Sequence, residues 1–250
     1  ELAQEQVFRK NNGSDPGTLD PHRAEGVPAS NVLRDLYEGL VSEAANGDYI
    51  PGVAESWSIS EDGKTYRFKI REEAVWSNGD KVVAEDFVFS LRRSVDPKTL
   101  SNYSSMLYPI KNARDVVLGK LPTDKLSVSA ESENTLLIEL EEPTPYFISL
   151  LTHSTTYPVH PPSVREHGST FTRPENMISN GAFTLKDWRI QDYILLERNE
   201  KYWDNSSTTL SQVYYYPLDN PDASLRRYRA NELDFTDTTP SEQLPWIKKN

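Results

Sequence analysis

The stretch WSNGDKVVAEDFVFSLRRSVDP, residues 76–97, packs a turn, an acidic helix start, an apolar stripe and a stop into one short run. Asn78-Gly79 supplies residues that tolerate positive φ, as a tight turn between strands demands. Glu85 and Asp86 place negative charge where the first turn of a helix favours it. Phe87, Val88 and Leu91 recur at helical spacing and make a buried stripe. Asp96-Pro97 ends the run, because the residue before proline is pushed out of the helical region. The reading is a hairpin exit feeding an amphipathic helix, AEDFVFSLRR, whose acidic pair serves the helix start rather than a reaction.

The same grammar extends in both directions. Upstream, SWSISEDGKTYRFKIR turns at Asp62-Gly63, and Tyr66, Phe68 and Ile70 alternate against Arg67, Lys69 and Arg71, which predicts an antiparallel pair with one buried face. Downstream, KLSVSAESENTLLIELEEP puts Leu136, Ile138 and Leu140 on one face, and GAFTLKDWRIQDYILLERN turns near Gln191-Asp192. Near the N-terminus, VFRKNNGSDPGTLDPHRAEGVPASN begins with a short apolar strand signal and dissolves into Gly, Pro, Asp and Asn, which reads as a strand followed by a long irregular loop of the kind that carries binding groups. Ser30 is expected to cap the helix NVLRDLYEGLV, with Val32, Leu33, Leu36, Tyr37, Leu40 and Val41 as its apolar positions. Further helices are expected at YFISLL and PDASLRRYRANE, the latter with Leu225 and Tyr228 on one face, and SEQLPWIKKN looks helical. Hairpins and helices in irregular order suggest α+β, or α/β with antiparallel insertions, rather than a repeating βαβ barrel. Pro158, Pro161 and Pro162 mark the expected crossover between two compact bodies.

A chain of 250 residues with 36% hydrophobic and 26% charged residues can bury its own core. No apolar run approaches the roughly 18 residues of a membrane span. The opening ELAQEQVFRKNN lacks the basic and apolar regions of an export signal, so a signal peptide is expected to be absent from this chain. The net charge of −11 argues against a nucleic-acid partner. Arg92-Arg93 and Arg226–Arg229 read as solvated helix faces. With no cysteine, disulfides, thiolate metal sites and a thiol nucleophile are excluded.

Chemistry motifs are sparse. His22, His153, His160 and His167 have no metal-ligand spacing, so neither a metal nor another cofactor is expected. A glycosidase could use paired carboxylates with Trp57, Trp76, Trp188, Trp203 and Trp246 stacking on a sugar. Neighbours on a strand point to opposite faces, however, so Glu72-Glu73 and Glu141-Glu142 cannot converge on one bond. GxSxG, GxxxxGK[ST] and GxGxxG are all missing, and binding in a cleft becomes the leading class.

The order Trp-Ser-Asn-Gly, acidic pair, Phe/Val helix and Asp-Pro resembles the peptide/nickel-type extracellular solute-binding proteins that serve ABC importers. Further matches follow in sequence: NNGSDPGTLDPHRAEGVPASN, LRDLYEGL, PGVAESW, EPTPYF, NGAFTLKDW, ERNEKYWDN and RYRANELDFT. The resemblance implies an α/β periplasmic-binding-protein-like fold of mixed sheets and helices. Its first lobe would take residues 1–37 and 161–250, and residues 38–160 would form an inserted lobe of hairpins and short helices. It implies a monomer that captures oligopeptides in the periplasm and delivers them to an ABC permease of the inner membrane. In that family the peptide's main chain pairs like an added strand and hydrated pockets accept varied side chains. Carried over residue by residue, Glu25 and Val27 line the ligand site from one side. Tyr103 and His153 do so from the opposing lobe, and Asp237, Thr238 and Thr239 form a segment after the LDFT strand. Each has a plainer reading: Glu25 as a loop brace, Tyr103 as a core aromatic, His153 as a cationic cap on YFISLL.

Three departures qualify the expectation. Val83 stands where the family commonly has Thr or Ser as an N-cap, which should cost about 1 kcal/mol. Asp237–Thr239 replaces a segment often holding Tyr and Asn, which opens the ligand to a murein peptide, a bile-acid-like amphiphile, a heme or a nickel chelate. Family members are longer, so the chain is expected to be an N-terminal portion, cut before a third domain that carries the partner of the peptide's α-ammonium, and to bind weakly by itself. A carbohydrate-active enzyme, and a scaffold that never transports, are the rivals from other classes.

Overall fold

The structure is a computed structural model that describes residues 5–249. Its strands are β1 (Val7–Asn11), β2 (Val41–Glu43), β3 (Tyr49–Pro51), β4 (Ala54–Ile59), β5 (Thr65–Ile70), β6 (Val128–Ser132), β7 (Thr135–Glu139), β8 (Phe183–Arg189), β9 (Tyr193–Arg198) and β10 (Gln212–Tyr216). Its helices are α1 (Gly26–Leu36), α2 (Ala84–Val95), α3 (Ala113–Val117), α4 (Phe147–Leu150), α5 (Pro161–His167), α6 (Pro221–Arg229) and α7 (Leu244–Ile247), with several single 3₁₀ turns between them.

Two four-stranded sheets organise the chain. One has the order β1-β10-β9-β8, with β1 parallel to β10 and the other pairs antiparallel. The other, β4-β5-β7-β6, is antiparallel throughout. The neighbours β1 and β10 are separated by nearly the whole chain, so the first sheet closes only after the second has been built between its strands. The β2–β3 hairpin stands apart.

The sheet of β4–β7 forms because its alternation is clean: Tyr66, Phe68 and Ile70 are buried, opposite Ile138, Leu136 and, on β4, Ala54, while Arg67 and Lys69 face out. Turns fall at Gly63 and at Gln191, both at positive φ. α2 covers β6 and β7 with Phe87, Val88, Leu91 and Val95. At the start of α2, Val83 has no side-chain oxygen to cap the helix, and the carboxylate of Asp86 works in the reverse direction. Its Oδ2 accepts from the Val83 N–H at 3.1 Å and from Nε1 of the fully buried Trp76 at 2.9 Å. Burial pushes the Asp86 carboxyl up, against these two hydrogen bonds. The acidic pair of the 76–97 stretch therefore divides: Asp86 fixes the helix entry and an aromatic anchor, and Glu85 stays exposed.

Several local expectations shift. α1 begins at Gly26, four residues before Ser30, because Pro28 sits in the first turn, where its missing N–H costs nothing. α1 also stops at Leu36, and Leu40 and Val41 are buried in extended chain instead. Tyr228 is 46% exposed and does not share the buried side of Leu225. The C-terminal segment is helical as a 3₁₀ turn over Ser241–Gln243 followed by the short α7.

Among the contacts that tie the sheets' bodies together are two polar ones near the candidate site. Where the chain leaves α1, the Asn180 side chain brackets Glu38, accepting from its N–H at 3.1 Å and donating to its carbonyl at 2.9 Å. Beside it, the Gly181 N–H donates to the Leu36 carbonyl at 2.9 Å. The Glu38 carboxylate accepts from the Tyr202 hydroxyl and the Trp203 indole, and burial raises it to about 6. The second contact is a buried cluster. Arg93 of α2 donates from Nη1 and Nη2 to the two Asp20 oxygens, at 2.8 and 2.6 Å, and from Nη1 to His22 Nδ1 at 2.8 Å. His22 Nε2 lies 2.9 Å from the Tyr157 carbonyl, which can only accept. His22 is therefore the neutral Nε2–H tautomer, since its Nδ1 lone pair faces a guanidinium. Burial, then the Arg93 charge, lowers its pKa to about 4. Burial alone would raise Asp20, but the Arg93 hydrogen bonds and neighbouring charge outweigh it and hold that carboxyl below its usual range.

A Cβ at Gly181 would lie 2.6 Å from the Asp35 carbonyl oxygen and 2.7 Å from the Leu36 carbonyl carbon. Gly181→Ala should thus cost about 1–3 kcal/mol and lower Tm by several degrees, and an unchanged Tm would contradict the close approach. His22 binds its proton less readily folded than unfolded, so its contribution to stability is complete above about pH 6.5 and is lost as pH falls toward about 4. Glu38, with its raised pKa, acts in the opposite sense over part of that window. The check is therefore the stability of wild type relative to His22→Gln by urea unfolding, which should decline over that interval by on the order of 3 kcal/mol; a pH-independent difference would contradict it.

Candidate functional site

The loop between β1 and α1 delivers Glu25 and Val27 to the surface because the chain must turn sharply into the helix. Gly26, at φ +82, makes that turn. Glu25 is extended, at φ −139 and ψ 155, and makes no capping bond, so its carboxylate is uncommitted to the helix. Val27 is 67% exposed, although it is a β-branched apolar residue in the first turn of a helix.

Across from them, the Tyr103 ring meets the His153 ring edge-on, with centroids 4.8 Å apart and planes at 64°. Tyr103 precedes a 3₁₀ turn over Ser104–Leu107. His153 ends the segment after α4, and its Nδ1 accepts from the Thr155 N–H at 3.2 Å. That bond caps the turn that follows and requires a lone pair on Nδ1; it is not the cationic cap of the preceding helix. Burial, then the nearby Arg34 charge, lowers the His153 pKa. A T-shaped contact with a neutral imidazole leaves Tyr103 half-buried, with one side open.

These four residues line one cup of about 230 Å³, together with Ala24, Gly26, Ser30 and Ser154. Glu25, Val27, Tyr103 and His153, spread over 129 positions of sequence, therefore converge. Ser30 and Ser154 are the members that pattern reading missed. Ser30 had been assigned to the helix cap, whereas the earlier start of α1 turns it toward the cup; Ser154 carries no signal beyond its place beside His153.

Asp237, Thr238 and Thr239 lie outside the cup. The segment containing them runs beside β1: Phe235 bridges Lys10 in parallel, and the Asp237 N–H donates to Asn11 Oδ1 at 3.0 Å. Their own hydroxyl contacts are local, Thr236 to the Thr238 carbonyl and Thr238 to the Asp237 carboxylate, and all three residues are exposed. Asn11 and Asn12 connect this patch to the cup. Asn12 Nδ2 donates to the Pro28 carbonyl at 2.9 Å, and Asn31 Nδ2 donates to Asn12 Oδ1 at 3.0 Å. The buried Asn11 Nδ2 has no partner among the described residues. The sequence-expected residues thus form one cup and one neighbouring edge, joined by Asn11 at the end of β1 and by Asn12 next to it.

Among the described residues, no group of three or more His, Asp or Glu side chains could hold a metal ion. The carboxylate pairs Glu72-Glu73 and Glu141-Glu142 are exposed, and Trp76 is buried away from solvent, so neither supplies a sugar cleft. The Trp246 side chain lies outside the described residues. No helix among the described residues is long and apolar enough to cross a membrane.

The chain is 44% identical, over 99% of its length, to the periplasmic oligopeptide-binding protein OppA of Escherichia coli K12, of which it covers 46%. It is 43% identical to the probable deoxycholate-binding periplasmic protein YgiS of the same organism, covering 47% of it. Its structure superposes on Haemophilus influenzae OppA, solved in complex with RPPGFSPFR, with a TM-score of 0.97 and 40% identity, covering 100% of this chain and 49% of that one. The chain spans about half the length of the curated relatives it matches. Residues 48–250 match the family described as "Bacterial extracellular solute-binding proteins, family 5 Middle". On this match and the relatives' identity, the chain belongs to the family 5 bacterial extracellular solute-binding proteins.

Proposed function

We propose that the chain is part of a periplasmic receptor that captures oligopeptides and delivers them to an ABC permease of the inner membrane, as a monomer and without a chemical step. The observation that carries this reading is the cup in which Glu25 and Val27 face Tyr103 and His153. Its chemistry suits a peptide side chain and its flanking main chain: an apolar isopropyl group, an aromatic face and an uncommitted carboxylate line an open hollow, where water can complete the polar contacts. The relatives named for oligopeptide binding support the same ligand class.

In this reading residues 1–37 with 161–250 act as one lobe and residues 38–160 as another, although the packing of α5 on α2 crosses that boundary. Glu25 and Val27 then belong to one lobe and Tyr103 and His153 to the other. A ligand that touches both walls binds best when they approach, and it shifts the population toward a closed form that the permease can distinguish. The negative net charge gives no support to a nucleic-acid partner.

A second ligand class, a murein peptide or a non-peptide amphiphile, is favoured by one observation. Asp237–Thr239 presents short, exposed polar groups at the edge next to the cup, and a relative at 43% identity is named for deoxycholate.

Native mass spectrometry of the protein as its cells make it distinguishes the two. Peptides of mixed sequence are expected to co-purify, and a single non-peptide species would overturn the oligopeptide reading. In isothermal titration with a co-purified peptide, Tyr103→Ala and Glu25→Ala should each weaken binding by about tenfold with little change in Tm. Unchanged affinity in both would remove these residues from the site.

A further inference from the structure

A second hollow lies away from the cup, in the groove between α2 and α5. Its volume is about 790 Å³. α2 presents Phe89 and Arg92 to it at helical spacing, with Glu85 and Asp96 at the helix's two ends. α5 contributes Pro161, Val164 and Arg165. Arg23 and Lys98 complete the rim.

The charges of this groove are unevenly spent. Arg93 is committed to Asp20, and Asp86 is committed to Trp76 and Val83. Arg23, Arg92, Lys98 and Arg165 have no carboxylate within ion-pair distance among the described residues. This is notable in a chain that carries 38 acidic residues against 27 basic ones. Arg92 is the most telling of the four. Its Nε is buried without an acceptor, and its Nη2 reaches the Val128 carbonyl only at 3.4 Å. That Nε is closed to solvent and so to a ligand, but the guanidinium charge has no carboxylate partner, and an oxyanion in the groove would supply one. In the same groove the exposed Arg165 guanidinium lies 5.1 Å from the Phe89 ring centroid, which sets that cation next to an apolar wall.

We propose that the α2–α5 groove is a second binding site, separate from the peptide cup, for an amphiphilic anion: an oxyanion head held by Arg92 and Arg165, with an apolar body against Phe89, Val164 and Pro161. Free amphiphiles and membrane lipids share that chemistry, and the test separates them.

The probe is octyl phosphate, below its micellar concentration, titrated into the protein as the cell makes it, with octanol as the uncharged control. Saturable binding of octyl phosphate and not of octanol is expected, weakening with added salt. The double variant Arg92→Gln/Arg165→Gln should weaken it by at least about tenfold, whereas Tyr103→Ala in the cup should leave it unchanged. Arg165 is exposed, so the single variant Arg165→Gln, which should fold normally, keeps the test open if the double variant is unstable. Co-sedimentation with phosphatidylglycerol vesicles but not phosphatidylcholine vesicles would support the proposal with a bilayer as the source; octyl phosphate binding without co-sedimentation would support it with a free amphiphile. No saturable binding, or binding indifferent to the arginine variants, would overturn it.

Discussion

One guanidinium sets the geometry on which the candidate site depends. Arg93 projects from α2, and Asp20 and His22 sit on the loop that leads into α1. His22 in turn meets the Tyr157 carbonyl, four residues beyond His153. A single buried cluster therefore fixes both walls of the cup: the Glu25–Val27 turn on one side and the His153 segment on the other. A buried ion pair of this kind adds little to stability compared with an apolar replacement, but removing one partner strands the other and costs about 3–5 kcal/mol. Such a contact specifies position more than it contributes energy. It anchors a loop rich in Gly, Pro and Asp to two other parts of the chain, Arg93 and the Tyr157 carbonyl.

The Asn180–Glu38 contact has a different character. It is built from backbone groups of one segment and a neutral amide of the other, and Gly181 lets the two chains approach to within hydrogen-bonding distance. Near it, the Glu38 carboxylate is held by two neutral donors, while Arg71 stacks on Trp203 at 3.8 Å. The links between the two bodies include a charged cluster at the cup and an amide bracket at the crossing, where the Ser77 N–H also donates to the Ser179 carbonyl at 2.8 Å. Lobe motion of the proposed kind must spare the second or be borne by it, because its bonds lie where the chain passes between the sheets.

Local structure was legible in the sequence wherever one residue decides it. The alternation of β5 and β7, the turns at Gly63 and Gln191 and the apolar stripe of α2 all follow from period and turn chemistry. Boundaries that depend on competing signals were not. Ser30 is a good cap by residue type, yet Pro28 and the positive-φ Gly26 start the helix earlier. The role of Asp86 was half legible: its place in the first turn could be read, its bond to Trp76 could not, because the indole's direction is set by packing. The resemblance to a family singled out Glu25, Val27, Tyr103 and His153, and no periodicity could have joined positions so far apart. The Asp20–His22–Arg93 cluster carried no sequence signal at all, since it exists only once α2 has docked against the N-terminal loop. For the same reason Arg92 and Arg93 read alike in sequence as a solvated face, although one is spent on a carboxylate and the other lines a groove.

The cup and the groove divide the surface by chemistry. The cup offers an acid, an aromatic ring and an isopropyl group; the groove offers unpaired cations against an apolar wall. Hydrogen exchange followed by mass spectrometry, with and without a co-purified peptide, tests the cup most directly as the peptide site. Added peptide should slow exchange at residues 24–31, 103–106 and 153–155 together, because the amides of both walls lose access to water when the ligand bridges them. Protection confined to one wall, or found only elsewhere on the chain, would contradict a peptide held between Glu25 and His153.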